Sequence, residues 1–162
     1  MKKTLYVVLL AVIAISGCLK QDKPNCSVIN STAPESEVNA LKTYLDTNNI
    51  SAIQDSRGFF YRIDSAASAT DSHPTVCSDV QVTYTGTFLN GVGFDSSGVN
   101  TPVAFNLSGL LTGWQEAIPL MKRNANMVLY LPPSLAYGAA GSPPVIPGNS
   151  YLIFYIKLLD FN

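Results

Sequence analysis

The chain has 162 residues, 47% of them hydrophobic and 13% charged, with 10 Lys and Arg against 11 Asp and Glu. That length and composition suit one compact domain with appendages and argue against two full domains. A net charge of −1 with no clustered basic residues leaves no patch for nucleic acid, and nucleic acid is therefore excluded as a partner.

Lys2 and Lys3 precede an apolar run from Leu5 to Ile15 that is too short for a comfortable membrane span, so residues 1–17 read as a removable signal peptide. The run ends in Ile15-Ser16-Gly17-Cys18, small residues just before a cysteine, and this resembles the lipobox of bacterial lipoproteins. The resemblance implies cleavage before Cys18, diacylation of its sulfur and usually acylation of its new amino group. An ordinary secretory signal with an incidental cysteine is the alternative. Two or more acyl chains would hold the protein on a membrane, since one chain anchors only marginally. The implied location is exported, lipid-anchored to a bacterial membrane on its periplasmic or cell-surface side. Without residues 1–17 the chain keeps 8 Lys and Arg against 11 Asp and Glu, a charge of about −3.

Residues 18–31 are polar and aperiodic and read as a tether. An N-terminal extension with a helix and a strand is expected over residues 32–77. Thr32 is the expected helix N-cap, with Glu35 three positions on, Pro34 in the first turn and Glu37 adding negative charge at the positive end of the dipole. Val38, Leu41, Tyr44 and Leu45 share one face, and Asn48-Asn49 ends an amphipathic helix of about fourteen residues. Gly58 to Ile63 reads as a strand and Ser65 to Ser78 as a polar loop. With Cys18 lipidated, Cys26 and Cys77 remain. In an oxidising compartment they would either form a disulfide or stay as two free thiols. A bridge would close a loop of roughly fifty residues and stabilise the fold by about 4 kcal/mol on the loop-entropy estimate. His73 lies in a polar loop beside Pro74 and is not expected to be catalytic, and the three cysteines suggest no metal site.

Val80, Val82 and Tyr84 alternate with Gln81, Thr83 and Thr85, the period-two pattern of a half-buried strand. Asn90-Gly91 marks a turn, Val103 to Leu107 a short strand, and Ser108 to Gly113 a loop. Trp114 to about Leu120 is the one helical segment of this half, with Pro119 expected to keep it short. Asn126 to Leu131 is another strand, Pro132 to Pro147 a long Pro/Gly-rich loop, and Tyr151 to Leu159 the last strand. The fold class is α+β.

The segments Val82-Thr83-Tyr84-Thr85-Gly86, Gly93-Phe94-Asp95-Ser96-Ser97, Phe105-Asn106-Leu107, Gly113-Trp114-Gln115-Glu116, Met121, Ala136-Tyr137-Gly138, Ile146-Pro147 and Leu152-Ile153-Phe154 follow one another in a recognisable order and spacing. Over about residues 78–160 they resemble FKBP-type peptidyl-prolyl cis-trans isomerases. The resemblance implies a twisted antiparallel β-sheet wrapped around one short α-helix, here over residues 78–162, with a ligand pocket between the two and no cofactor. It implies Trp114 as the pocket floor, Tyr84 and Phe94 and Phe154 as aromatic walls, and Leu110, Leu111 and Ile146 as aliphatic lining. Tyr137 would reach a substrate carbonyl, Asp95 would be the pocket carboxylate, and the Leu111 backbone N–H would donate to a ligand. Val103 stands where an aromatic wall is frequent, Ser142 where the residue is often bulkier, and Asn124 where Gly is usual. The implied activity is prolyl isomerisation assisting the folding of exported proteins. The implied partners are X–Pro segments of those proteins, macrolide-type inhibitors and, through the lipid anchor, a membrane. The alternative is a non-catalytic proline-binding or chaperone module on the same fold.

Tyr151, Ile153 and Tyr155 make the second face of the last strand apolar, and Val128 and Tyr130 do the same one strand earlier. Sheets apolar on both faces are covered on both. The N-terminal helix, through Leu41, Tyr44 and Leu45, or a second copy of the chain, is therefore expected on the outer face.

Overall fold

Two ten-residue strands form the spine of the molecule. A computed structural model describes residues 26, 30–64, 72–98 and 100–162; the expected signal peptide, Cys18 and nearly all of the tether lie outside these. The helices are α1 (Glu35–Thr47) and α2 (Thr112–Ala117). The strands are β1 (Ile53–Gln54), β2 (Phe60–Asp64), β3 (Asp79–Phe88), β4 (Gly93–Ser96), β5 (Val103–Asn106), β6 (Asn126–Leu131) and β7 (Leu152–Phe161). β3 and β7 pair antiparallel from Val80↔Phe161 to Phe88↔Leu152. The full sheet runs β1-β2-β6-β7-β3-β4, with β5 also on β3, and every pairing is antiparallel.

Strand alternation divides the side chains between two cores. Val80, Val82, Leu129, Leu131, Phe154, Ile156 and Leu158 face inward onto α2, where Trp114, Ala117 and Ile118 are buried. On the other face Leu41 and Leu45 of α1 pack on Phe60, Tyr130 and Ile153. The helix therefore belongs to this chain's own outer layer. It covers only the end of the sheet that carries those three residues. Tyr155, two residues along β7 from Ile153, remains 48% exposed.

The start of α1 departs from expectation. Pro34, not Thr32, is the N-cap, and no side chain caps the helix. The preceding chain is held elsewhere: Ala33 N–H donates to Arg57 O at 2.9 Å, and Ser31 N–H donates to Glu116 Oε1 at 3.0 Å. Glu37 stands in the first turn as expected, and its carboxylate also accepts from Ser134 N–H at 3.0 Å. Tertiary hydrogen bonds thus displaced the local capping pattern.

α2 begins at Thr112, two residues before the expected start, and passes at Ile118–Leu120 into a 3₁₀ turn that takes Pro119. The 3₁₀ conformation accommodates a residue without an N–H, where a continuing α-helix would lose a bond. Further 3₁₀ turns at Leu107–Gly109 and Pro133–Leu135 shape stretches read as plain loop, and β1 was not foreseen. Asn124 adopts φ 63, the left-handed conformation that Asn tolerates at a Gly position. A disulfide joins Cys26 to Cys77, with Cα atoms 5.2 Å apart. No helix among the described residues is long and apolar enough to cross a membrane.

Leu41 is fully buried between α1 and the sheet. Leu41→Ala is expected to lower stability in urea unfolding by about 2–5 kcal/mol through lost burial and a residual cavity. Truncating exposed Lys42 to Ala should change it by no more than about 0.5 kcal/mol.

Candidate active site

The site begins with how closely α2 lies against β6. A Cβ at Gly113 would collide with the buried Leu131 side chain, so glycine lets the helix settle at this depth without displacing that leucine. Trp114 follows it and is buried to 4% exposure. The rings of Tyr84 and Phe154 meet the indole edge-on, with centroids 5.4 and 5.3 Å away and both interplanar angles at 90°. Such edge-to-face contacts suit the quadrupoles of the rings. They leave the indole as a floor with two upright walls. Its Nε1–H finds no acceptor among the described residues.

The polar groups stand at the rim. Tyr84 donates its hydroxyl to Asp95 Oδ2 at 2.6 Å, and Asp95 Oδ1 accepts from Ser96 N–H at 2.8 Å. Burial, and then the carboxylate of Asp95, push the Tyr84 hydroxyl far above the usual phenol range. Burial first and Asp95 second also raise Tyr137. Both phenols are therefore protonated at neutral pH, and Tyr84 is already spent on Asp95. Tyr137, on the Pro/Gly-rich loop, is the other phenol that lines the cavity, and it makes no such bond to Asp95.

Gln115 supplies a positioning contact that the sequence did not reveal. Its Nε2 donates to Ser108 O at 3.1 Å and Leu110 O at 2.8 Å, fastening the segment that carries Leu110 and Leu111 onto α2. Leu111 is then the N-cap of α2, in an extended conformation. Glutamine two residues from a glycine is an unremarkable pattern, and only its folded reach identifies it.

Tyr84, Asp95, Phe105, Leu110, Leu111, Trp114, Tyr137 and Phe154 enclose a cavity of about 190 Å³. Three residues expected at its wall are not there. Phe94 stands one layer behind, edge-on to Phe154 at 5.6 Å, in space that Gly86 leaves open by lacking a side chain. Ile146 is buried beneath the loop that Ser142 and Ile146 close with mutual backbone bonds of 2.8 and 2.9 Å. Val103 pairs with Val82 at the far end of β5. Phe105, two residues on and so on the same strand face, takes the wall position, with its ring 6.2 Å from Tyr84. The aromatic wall that Val103 had seemed to lack is present. Ser142 is exposed in the loop, off the cavity. A roomier hollow of about 550 Å³ lies on the bare outer sheet face around Tyr155 and Lys157, but it is open, bordered by the charged Arg62, Asp64 and Lys157, and lined by no residue of α2.

Residues 70–159 match the family model of FKBP-type peptidyl-prolyl cis-trans isomerases. The chain belongs to the FKBP family. It is 44% identical over 88 residues to the peptidyl-prolyl cis-trans isomerase Mip of Coxiella burnetii, covering 54% of this chain and 38% of that protein. It is 39% identical over 106 residues to FkpA of Escherichia coli, covering 65% and 38%. Each match thus spans little more than a third of the relative's own length. The crystal structure of E. coli FkpA superposes with a TM-score of 0.69 at 33% identity, over 78% of this chain and 60% of that one. That of a peptidyl-prolyl cis-trans isomerase from Pseudomonas syringae pv. tomato superposes at 0.66 and 26% identity, over 82% and 98%.

In this FKBP chain the extension reaches the site from behind. Glu116, on α2 two residues after Trp114, is 3% exposed; its Oε1 holds Ser31 N–H, and its Oε2 has no partner among the described residues. Burial raises its carboxyl above the ordinary range, against the opposing pull of Ser31 N–H and Arg57. The folded state thus binds this proton more tightly than the unfolded chain, so stability falls as pH rises from the ordinary carboxylate value to the raised one. Glu116→Gln lacks that loss. Compared by urea midpoint, the variant should gain on wild type between pH 4 and pH 7; a change in the other direction would mean that the charged form is favoured by the fold.

Proposed function

We propose that this protein is a peptidyl-prolyl cis-trans isomerase that assists the folding of exported proteins and is held at a bacterial membrane through lipidated Cys18. The observation that carries the activity is the 190 Å³ aromatic cup on Trp114, with one phenol and one phenol-bound carboxylate at its rim. Pockets for drug-sized ligands begin near about 300 Å³. This cup is instead the size for one small ring, with the rest of the peptide outside. Macrolide-type inhibitors would enter it by one ring in the same way.

The chemistry needs little else. Rotation about an X–Pro bond is slow because it breaks amide resonance, a barrier of about 18–20 kcal/mol, although the two isomers differ by only about 0.5–1 kcal/mol. No bond to the substrate has to form, which agrees with a lining that holds no Ser, Cys or Lys. A twisted amide has lost part of the charge separation of the planar one. A dry apolar cup therefore favours the twisted form over the planar ground state. In this scheme Trp114 seats the proline ring, Tyr84 and Phe154 and Phe105 hold it upright, and Leu110 closes the side. Tyr137 O–H and Leu111 N–H hold substrate carbonyls on either side of the bond. Asp95, fixed by Tyr84, faces the amide. The two departures from the family pattern that would favour a proline-binding module without turnover, Val103 and Ser142, do not line the cavity.

A protease-coupled assay on a short X–Pro peptide tests the assignment. Tyr137→Phe removes one hydrogen bond and should lower kcat/KM by about 2- to 10-fold. Trp114→Leu removes the floor and should cost about 10- to 100-fold, since each 1.4 kcal/mol of lost transition-state contact is tenfold. Absence of turnover in folded wild type would end the isomerase reading. A mass for membrane-extracted protein that lacks acyl chains on Cys18 would end the anchoring.

A further inference from the structure

Among the described residues, the large apolar side chains left exposed are Ile53, Val92, Val145 and Tyr155. Two of the four line one groove: Val92 (57% exposed) and Val145 (55% exposed) both border a hollow of about 570 Å³ between the β3–β4 hairpin and the Pro/Gly-rich loop. Phe88, Leu89, Pro147 and Tyr151 complete its apolar lining, and no charged side chain lines it.

The groove and the cup share no lining residue, but a row of packed aromatic rings behind the cup wall joins them. Trp114 touches Phe154, Phe154 touches Phe94 and Phe94 touches Phe88, with centroid separations of 5.3, 5.6 and 5.2 Å. Phe88 therefore lies within about five extended residues of the cup floor. The same two elements serve both places. The hairpin carries Asp95 to the cup and Val92 to the groove, while the loop carries Tyr137 to the cup and Val145 to the groove. Val145 and Ile146, adjacent in sequence, divide outward and inward, the latter 4% exposed.

Its walls are preformed. Phe88 N–H donates to Val92 O at 2.9 Å, Val92 N–H to Asn90 Oδ1 at 3.0 Å, and Ser150 Oγ to Pro147 O at 2.7 Å. From the outer layer, Tyr44 of α1 donates its hydroxyl to Leu89 O at 2.9 Å, so the extension braces the hairpin that forms one wall. Little ordering cost remains for a ligand.

We propose that this groove binds apolar side chains of an unfolded polypeptide, within about five residues of the proline seated in the cup. The assignment depends on the prolyl reading of the cup. An unfolded chain is the partner that presents an X–Pro bond together with exposed apolar side chains, because folded proteins bury most of the latter. The absence of charge in the groove suits a variable client sequence. Eight lining residues are too few for a stable dimer, which uses about 20–30 a side.

The test uses Val92→Glu with Val145→Glu, two exposed sites outside the cup. Affinities are measured by calorimetry for a tetrapeptide containing X–Pro, and for longer peptides with one Leu or Phe placed one to six residues from the proline on either side. Isomerisation of both peptide kinds is followed as well. The expected result is at least a fivefold tighter wild-type affinity for one or more of the long peptides. The double variant should lose that gain yet keep tetrapeptide kcat/KM within twofold. Equal affinities of wild type and variant for every long peptide would overturn the proposal, as would an equal loss on the tetrapeptide. A wild type that is dimeric by sedimentation and made monomeric by the variant would also overturn it, assigning the groove to a second copy. If wild type turns over neither peptide, the isomerase reading fails, while the calorimetry still decides the groove.

Discussion

The depth at which α2 sits on the sheet governs the rest of this molecule. A six-residue helix contributes little stability of its own, since short helices are marginal without tertiary packing. Its position comes from Gly113 against Leu131 and from the burial of Trp114, Ala117 and Ile118 on the inner sheet face. Had a Cβ held α2 further out, the indole would not meet the edges of Tyr84 and Phe154, and the cup would be a shallow depression. Gln115 then extends the same constraint outward by fastening the preceding segment with two hydrogen bonds. The floor and one side of the cup are thus set by three consecutive residues.

The sheet adds a second requirement. Its inner face is fully used by α2 and the aromatic cluster, while the outer face still carries Phe60, Tyr130 and Ile153. α1 answers that need over one end of the sheet. Its attachment is distributed: Leu41 and Leu45 in the outer core, Tyr44 on the hairpin, Glu37 on the loop after β6, and Ser31 on Glu116 of α2. The Cys26–Cys77 bridge ties the residues before α1 to those just before β3. The extension is therefore part of the frame that holds hairpin, loop and helix in relation to one another. Leaving α1 without a side-chain cap is a small loss beside these contacts, because a cap contributes about 1 kcal/mol.

Most of the architecture was legible from local pattern. The alternation of Val80, Val82 and Tyr84, the apolar stripe of α1 and the two-faced apolarity of the last strand required particular elements and a cover on both sides of the sheet. The ordered motifs around Gly113-Trp114 identified the family and the floor of the site. Less legible was which residue of a strand face reaches the cavity. Val103 and Phe105 share a face, and the register Val80↔Phe105 and Val82↔Val103 puts the ring at the cup and the valine beyond it. Phe94 and Ile146 likewise belong to the cluster, yet stand behind the wall.

The amino-acid sequence by itself determined the strands other than β1, the two helices, the amphipathic face of α1 and the set of aromatic residues available to the site, because these follow from period, turn chemistry and side-chain type over a few neighbours. The tertiary structure alone decided which of those aromatics form the wall, that Gln115 holds the site's edge, that Glu116 is buried with one oxygen unpartnered among the described residues, and that Val92 and Val145 line one groove. Some of these depend on contacts between residues far apart in the chain, such as Ser31 with Glu116, 85 positions on, and no local pattern encodes the distances at which separate elements meet.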